Sequence, residues 1–183
     1  MRIPYVPDPP QPSTAEETQI VQRIQARRAP RPLQPLDLAL LHSPPLADGW
    51  NSFLGAVRTQ TSLGDDLREL AISRVAVCNG AWYEWKHHAP LAAQAGVSKE
   101  ALDAVKTDGP LGRLSRPDVL TERQWAVLVY TDEMTRNVHV RDETFGMLKA
   151  LFSDREVVEI TGTVSLRVLF LLAPFLLGQQ PVG

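Results

Sequence analysis

Apolar residues recur at helical spacing along most of the chain, and no stretch keeps the apolar-polar alternation of a strand. The first helical segment covers about residues 15–28, with Ile20 and Ile24 on its apolar side. Thr14 lies three residues before Glu17, which is the spacing of a capping box at a helix N-terminus. The pattern therefore predicts an all-α fold.

Proline, glycine and asparagine divide the rest of the chain into further segments. Residues 1–12 contain five prolines, which favour an extended arm. Asn79 and Gly80 separate two predicted helices, and residues 108–118 form a predicted loop. The predicted helices after the first are one carrying Trp50, Phe53, Leu54 and Val57, one from Asp65 or Asp66 to the Asn79-Gly80 break, and others at about 82–95, 99–106, 121–135, 142–152 and 154–177.

The length of 183 residues suits a single globular domain. We expect a proline-rich arm with one short helix over residues 1–35 and one helical domain over residues 36–183. The formal net charge of −2 provides no basic footprint, which argues against a nucleic-acid partner. The single cysteine, Cys78, and the absence of an apolar leader in the first ten residues favour a reducing, cytoplasmic location.

The most apolar run of the chain lies at residues 164–178 and is interrupted by Arg167 and Pro174. It is shorter than the roughly 20 apolar residues that a membrane-spanning helix needs. A buried or subunit-interface helix is the favoured interpretation, with the lining of an apolar substrate pocket and contact with a membrane surface as alternatives. We therefore expect no membrane partner.

Three titratable residues are candidates for a catalytic site. Glu84 and His88 are four residues apart, so their side chains share one face of the predicted helix. Glu69 lies on the preceding helix in a stripe with Ile72 and Ala76, and a carboxylate in a core stripe requires a partner. The alternatives are that Glu84 and His88 form a surface ion pair and that Glu69 is an acidic first-turn residue.

Two runs carry a resemblance to a known family. The first is residues 67–96, with Glu-Trp-x-x-His at 84–88 followed by Ala-Pro-Leu-Ala; the second is residues 120–161. Together they resemble the carboxymuconolactone decarboxylase and alkylhydroperoxidase D-like superfamily. The resemblance implies an all-helical fold, homo-oligomers with sites near subunit contacts, and either decarboxylase-type proton chemistry or thiol peroxidase chemistry.

The motif separates these two chemistries. Peroxidase members carry C-x-x-C, with a histidine four residues after the second cysteine; here Ala81 and Glu84 occupy the cysteine positions. Cys78 lies outside the motif and has no resolving partner, so we expect it to be an inert thiol. By the resemblance, His88 matches the motif histidine and Glu69 the upstream glutamate. This predicts a non-redox member.

The last long helix departs from the family pattern, because apolar residues follow Arg167 where many members carry polar residues. An apolar aromatic or polyketide-like substrate is therefore expected. The sequence predicts a cofactor-independent lyase or isomerase, with His88 transferring protons and Glu69 and Glu84 positioning it. The other expectations are substrate binding by Tyr83, Trp85 and Arg167, no metal, no cofactor and a homo-oligomer. A non-catalytic binding protein is the main alternative, and a residual peroxidase is a weaker one.

Overall fold

The computed structural model describes residues 3–170, with side chains up to residue 166. All regular secondary structure in this part of the chain is helical, so the predicted all-α class is confirmed. The part of the predicted 154–177 helix beyond residue 170 lies outside the described residues. The elements are α1 (Ala15–Arg28), α2 (Pro35–Leu40), α3 (Pro44–Thr59), α4 (Asp65–Cys78), α5 (Trp82–Gln94), α6 (Lys99–Val105), a 3-10 turn (Leu111–Arg113), α7 (Glu122–Asn137), α8 (Asp142–Leu151) and α9 (Asp154–Phe170).

The described chain divides into two compact units, residues 3–60 and 61–170. The division expected after residue 35 stays a prediction. In the first unit, Thr14 caps α1 as its sequence indicates, because the Thr14 hydroxyl accepts a hydrogen bond from the Glu17 amide. The apolar side of α1, including Ile20 and Ile24, is buried against Leu41.

A buried carboxylate joins α1 to α2 inside the first unit. Asp37 is 2% exposed, and it accepts two hydrogen bonds from the guanidinium of Arg28 at 2.7 and 2.9 Å. The Gln34 amide donates a third bond at 2.7 Å. Both carboxylate oxygens of Asp37 therefore have partners, which offsets the cost of removing this charge from water.

In the second unit, α4 is the central helix and packs against α5, α7 and α9. Its residues are buried on all sides from Leu70 to Ala76. One apolar cluster joins α4 to α7, α8 and α9, and a second joins it to α5, α6 and α7. A charged side chain in this stretch is shielded from water, so its charge needs partners on neighbouring elements.

Arg74 on α4 is fully buried and ties the loop after α6 to the core. Its Nε donates to Oδ1 of Asp132 on α7 at 2.9 Å, and its remaining nitrogens donate to the carbonyls of Val105, Thr107 and Gly109 at 2.7–2.8 Å. Arg136 also donates to Oδ1 of Asp132, at 2.9 Å. This network closes the end of the unit where α4, α6 and α7 meet.

Candidate functional site

The site is formed by a helical hairpin, in which a short turn reverses the chain between α4 and α5. Gly80 lies in that turn with φ +63, a left-handed conformation that glycine adopts without steric cost. The antiparallel arrangement brings the first half of α4 beside the second half of α5. Glu69 and His88 therefore face each other although nineteen residues separate them.

Glu69 and His88 form a short, buried hydrogen bond. Nδ1 of His88 lies 2.6 Å from Oε2 of Glu69, and each residue is 6% exposed. An ionised carboxylate only accepts hydrogen bonds, so Nδ1–H is the donor. This fixes the tautomer of the neutral ring and leaves Nε2 as the nitrogen that exchanges protons.

Glu84 approaches the other nitrogen of the same ring. Its Oε2 lies 3.5 Å from Nε2 of His88, and its side chain is 17% exposed. The structure thus brings all three predicted catalytic residues together, with one carboxylate on each side of the imidazole. Because His88 is almost fully buried, the Glu84–His88 pair is not a solvated surface ion pair.

Arg68 adds a positive charge behind Glu69. Its Nε lies 3.5 Å from Oε1 of Glu69, and its Nη2 lies 2.8 Å from Asp65. Arg68 thus faces the oxygen of Glu69 that does not contact His88. The same carboxylate thus has a cation on one oxygen and the imidazole of His88 on the other. The helical pattern did not single out Arg68, although it directly precedes Glu69 in the sequence.

Two of the predicted substrate-binding residues, Tyr83 and Trp85, lie on different faces of α5. Tyr83 is 73% exposed, and its ring lies 4.3 Å from that of His87. Trp85 is half-buried on a different face of α5, where it lines a groove with α6. The side chain of Arg167 lies outside the described residues. Substrate binding by these three residues stays a prediction.

Cys78 ends α4 in a setting that suppresses thiol chemistry. Its Sγ donates to Oδ1 of Asp132 at 3.3 Å, beside the Arg74 network. Burial raises the pKa of the Cys78 thiol to about 11, although the charge of Arg74 acts in the opposite direction. A neutral thiol is a poor nucleophile and a poor metal ligand.

Sequence reasoning missed the Arg74–Asp132 pair. Burial raises the pKa of Asp132, but hydrogen bonds from Arg136 and Arg74 outweigh that effect and the net pKa is lowered. The sequence carried a signal for Arg74 alone, which interrupts an apolar helical stretch, and none for its partner. Among residues 3–166, no three His, Cys, Asp or Glu side chains come together as a metal site.

Comparisons with known proteins identify one family model and several solved structures that resemble this chain. Residues 44–108, which include Glu69, Glu84 and His88, match the sequence profile of the carboxymuconolactone decarboxylase family. The resemblance to the carboxymuconolactone decarboxylase and alkylhydroperoxidase D-like superfamily is thereby confirmed. Among curated proteins, none matches this chain significantly.

Solved structures with the same fold include proteins of different chemistry. An Agrobacterium tumefaciens protein of unknown function, described as a candidate AhpD antioxidant defence protein, is 23% identical over 76% of this chain and 92% of its own, with a TM-score of 0.63. A cysteine-to-alanine variant of the debrominase Bmp8 in complex with 2,3,4-tribromopyrrole is 15% identical over 91% and 85%, with a TM-score of 0.64. A peroxidase-related protein from Silicibacter sp. is 16% identical over 94% and 88%, with a TM-score of 0.63. At these identities the likeness shows the fold alone.

Proposed function

We propose that this carboxymuconolactone decarboxylase-like protein is a cofactor-independent lyase or isomerase that transfers a proton to or from carbon in an organic acid or enol. The observation that carries the proposal is the buried 2.6 Å contact between Glu69 and Nδ1 of His88, with Glu84 at 3.5 Å from Nε2. A histidine fixed between two carboxylates is suited to general acid-base catalysis near neutral pH.

In decarboxylation, the bond between the carboxylate carbon and its neighbour breaks, and carbon dioxide leaves without the bonding electron pair. That pair forms an enolate, and the protonated ring of His88 donates the proton from Nε2 to the carbanion carbon. Glu69 stabilises the positive ring from the Nδ1 side throughout. Solvent then restores the proton, so the reaction balances without an electron acceptor.

In isomerisation, His88 acts first as a base and then as an acid. Nε2 of neutral His88 removes a proton from carbon, and the ring returns that proton at a different atom of the delocalised anion. Glu84 is 3.5 Å from Nε2, so it is placed to orient the ring toward the substrate or to exchange the proton with water. Both reactions thus use one proton-transfer atom and two supporting carboxylates.

Thiol chemistry is the less favoured alternative on chemical grounds. Ala81 and Glu84 stand where the peroxidase motif has cysteines, and the chain has one cysteine in total. The pKa of Cys78 is raised to about 11 by burial. A disulfide cycle within the chain needs a second thiol. Proton transfer by His88 therefore accounts better for the residues found at the motif positions.

The apolar run after Arg167 favours a substrate with an aromatic or polyketide-like skeleton. The Bmp8 complex shows that a protein of this fold binds a small aromatic ring, 2,3,4-tribromopyrrole. A non-catalytic binding protein is the second candidate, because Glu69 and His88 are each only 6% exposed and access to the ring is narrow.

The test is turnover of a panel of aromatic β-keto acids and vinylogous acids in D2O, with carbon dioxide release and deuterium incorporation into carbon followed together. A lyase gives both signals, and an isomerase gives deuterium alone. A binding protein shifts its ligand-binding signals without either product. His87→Ala is the matched control for His88→Ala, because His87 is an exposed imidazole on the same helix.

A further inference from the structure

A groove between α5 and α6 has neither Glu69 nor His88 in its lining. It has a volume of about 440 Å³, which is within the range of about 300–1,000 Å³ typical of small-molecule sites. One face of each helix lines it at helical spacing. The lining residues are Trp85, Lys86, Ala89, Pro90 and Ala93 from α5, and Lys99, Leu102, Asp103 and Lys106 from α6 and its C-cap.

The groove combines an apolar floor with a positive rim. Trp85 and Leu102 supply apolar surface from the two helices. Three lysines and one aspartate leave a local charge of +2, whereas the whole chain carries −2. The excess is therefore a property of this groove and not of the surface in general. It favours an anion over a neutral or cationic ligand.

Lys106 forms a cation–π contact with Trp85 in the groove. Nζ of Lys106 lies 5.2 Å from the centroid of the Trp85 ring and donates to Oδ1 of Asp103 at 3.1 Å. Trp85 is thereby held by a cation on one side, while its ring contributes to the groove wall. Asp103 neutralises Lys106, so the attraction for an anion comes from Lys86 and Lys99.

Lys86 and Lys99 are both exposed, and within the described part of the chain neither forms an ion pair. They line the groove from different helices, Lys86 from α5 and Lys99 from the start of α6. Their positive charges attract a carboxylate, and an aromatic ring attached to it has Trp85 and the apolar floor to cover. A ligand of this size fits the volume of the groove.

We infer that the groove between α5 and α6 binds a small aromatic carboxylate, with its ring against Trp85 and its carboxylate toward Lys86 and Lys99. The site is separate from His88, so binding there does not require the proposed proton-transfer reaction. A site of this chemistry recognises an acid through residues other than Glu69, Glu84 and His88.

The experiment uses the full chain and the probe 1-naphthylacetate, with 1-naphthylacetamide as a neutral ligand of the same shape. Binding is followed by the NMR signal of the Trp85 indole N–H, assigned by its loss in Trp85→Phe. We expect the acetate to shift this signal and the amide to bind about fivefold more weakly. Equal affinity for the two ligands would show that the charge plays no part and would overturn the inference.

Variants distinguish binding in the groove from binding at the Glu69–His88 pair. Lys86→Gln with Lys99→Gln should weaken acetate binding about fivefold, whereas Lys149→Gln, on the distant helix α8, should leave it unchanged. His88→Ala should also leave it unchanged, whether or not the protein is an enzyme. Loss of binding in His88→Ala would show that the probe binds at the Glu69–His88 pair, and it would refute binding in the groove. A change of oligomer mass in the double variant, with no probe binding to the parent, would assign the groove to contact with a second copy and refute it too.

Discussion

Nδ1 of His88 lies 2.6 Å from Oε2 of Glu69, in a setting where both residues are 6% exposed. Removing either partner leaves the other buried without its hydrogen bond, which typically costs about 1–3 kcal/mol and more for a charged group. The contact also holds the ring so that Nε2 faces Glu84. One short hydrogen bond therefore both stabilises the hairpin of α4 and α5 and sets the orientation of the candidate catalytic atom.

The Cys78→Ser variant should keep full activity, because the Cys78 thiol is neutral near pH 7 and has no resolving partner. Its pKa of about 11, raised by burial, also predicts slow alkylation below pH 10. Iodoacetamide labelling rates measured from pH 7 to 11 check this. Dithiol-dependent peroxide turnover that vanishes in the variant would contradict the non-redox assignment.

The same thiol makes a prediction about stability at high pH. Its ordinary pKa is 9.0, and burial raises the folded-state value to about 11. The folded protein then holds a proton that the unfolded chain has lost, so the free energy of unfolding should fall as the pH rises from 9 to 11. Cys78→Ser should flatten this part of the curve in urea denaturation, while its profile below pH 8 stays parallel to that of the parent.

The local helical pattern was sufficient to predict the helices, the Thr14 cap and the meeting of Glu84 with His88, because each depends on residues within a few positions. The Glu69–His88 contact needed the α4–α5 turn as well, which Asn79 and Gly80 indicate. Arg74 and Asp132 are 58 residues apart, and no local signal pairs them. Nor does the sequence say which face of α5 carries the groove, since that depends on how α6 packs.

Asp132→Asn should destabilise the protein strongly. It leaves the fully buried Arg74 without its carboxylate, and breaking a buried ion pair on one side costs about 3–5 kcal/mol. Urea denaturation measures the change in the free energy of unfolding. Asp103→Asn, which removes a carboxylate from an exposed pair with Lys106, should change it by less than about 1 kcal/mol.

Asp132 also sets a direction for acid sensitivity. Burial alone would raise the pKa of Asp132, but the hydrogen bonds from Arg136 and Arg74 lower it by more. The pKa in the folded state therefore lies below the ordinary value of 3.8. The stability this group provides is present above pH 3.8 and is lost as the pH falls through the folded pKa. Asp132→Asn should therefore reduce the acid dependence of unfolding, and an unchanged acid limb would argue against the network.

Two glycines offer a matched pair of substitutions. A Cβ at Gly112 would lie 2.5 Å from Nη2 of Arg141 and 2.6 Å from Oε1 of Glu133, a carboxylate that Arg141 and Thr144 hold in place. Gly112→Ala should lower the free energy of unfolding by about 1–3 kcal/mol. Gly146, inside α8, has no atom within 4 Å of its Cβ position, so Gly146→Ala should raise it by about 0.5–1 kcal/mol. Equal effects would contradict the packing at Gly112.

We expect the protein to form a homo-oligomer, since α5 exposes Tyr83, Trp82 and Leu91 at 73%, 49% and 42%. Static light scattering at micromolar concentration measures the mass. Tyr83→Ser with Trp82→Ser should dissociate the assembly if this face forms the contact. A parent protein that stays monomeric would remove the expectation.

The catalytic assignment predicts a graded series once a turned-over substrate is in hand. His88→Ala should lower kcat by about 10²–10⁴-fold, because it removes the imidazole that we propose transfers the proton. Glu69→Gln should lower kcat while leaving the ring in place, since the amide oxygen still accepts from Nδ1 but no longer stabilises a positive ring. Glu84→Gln should act through Nε2 and change the pH profile of kcat.

His87→Ala should match the parent, because His87 is exposed and its Nδ1 donates to the carbonyl of Tyr83 at 2.8 Å. Circular dichroism and light scattering on each variant separate loss of catalysis from loss of fold. Parental turnover by His88→Ala, with His87→Ala impaired, would mean that the other imidazole of α5 transfers the proton.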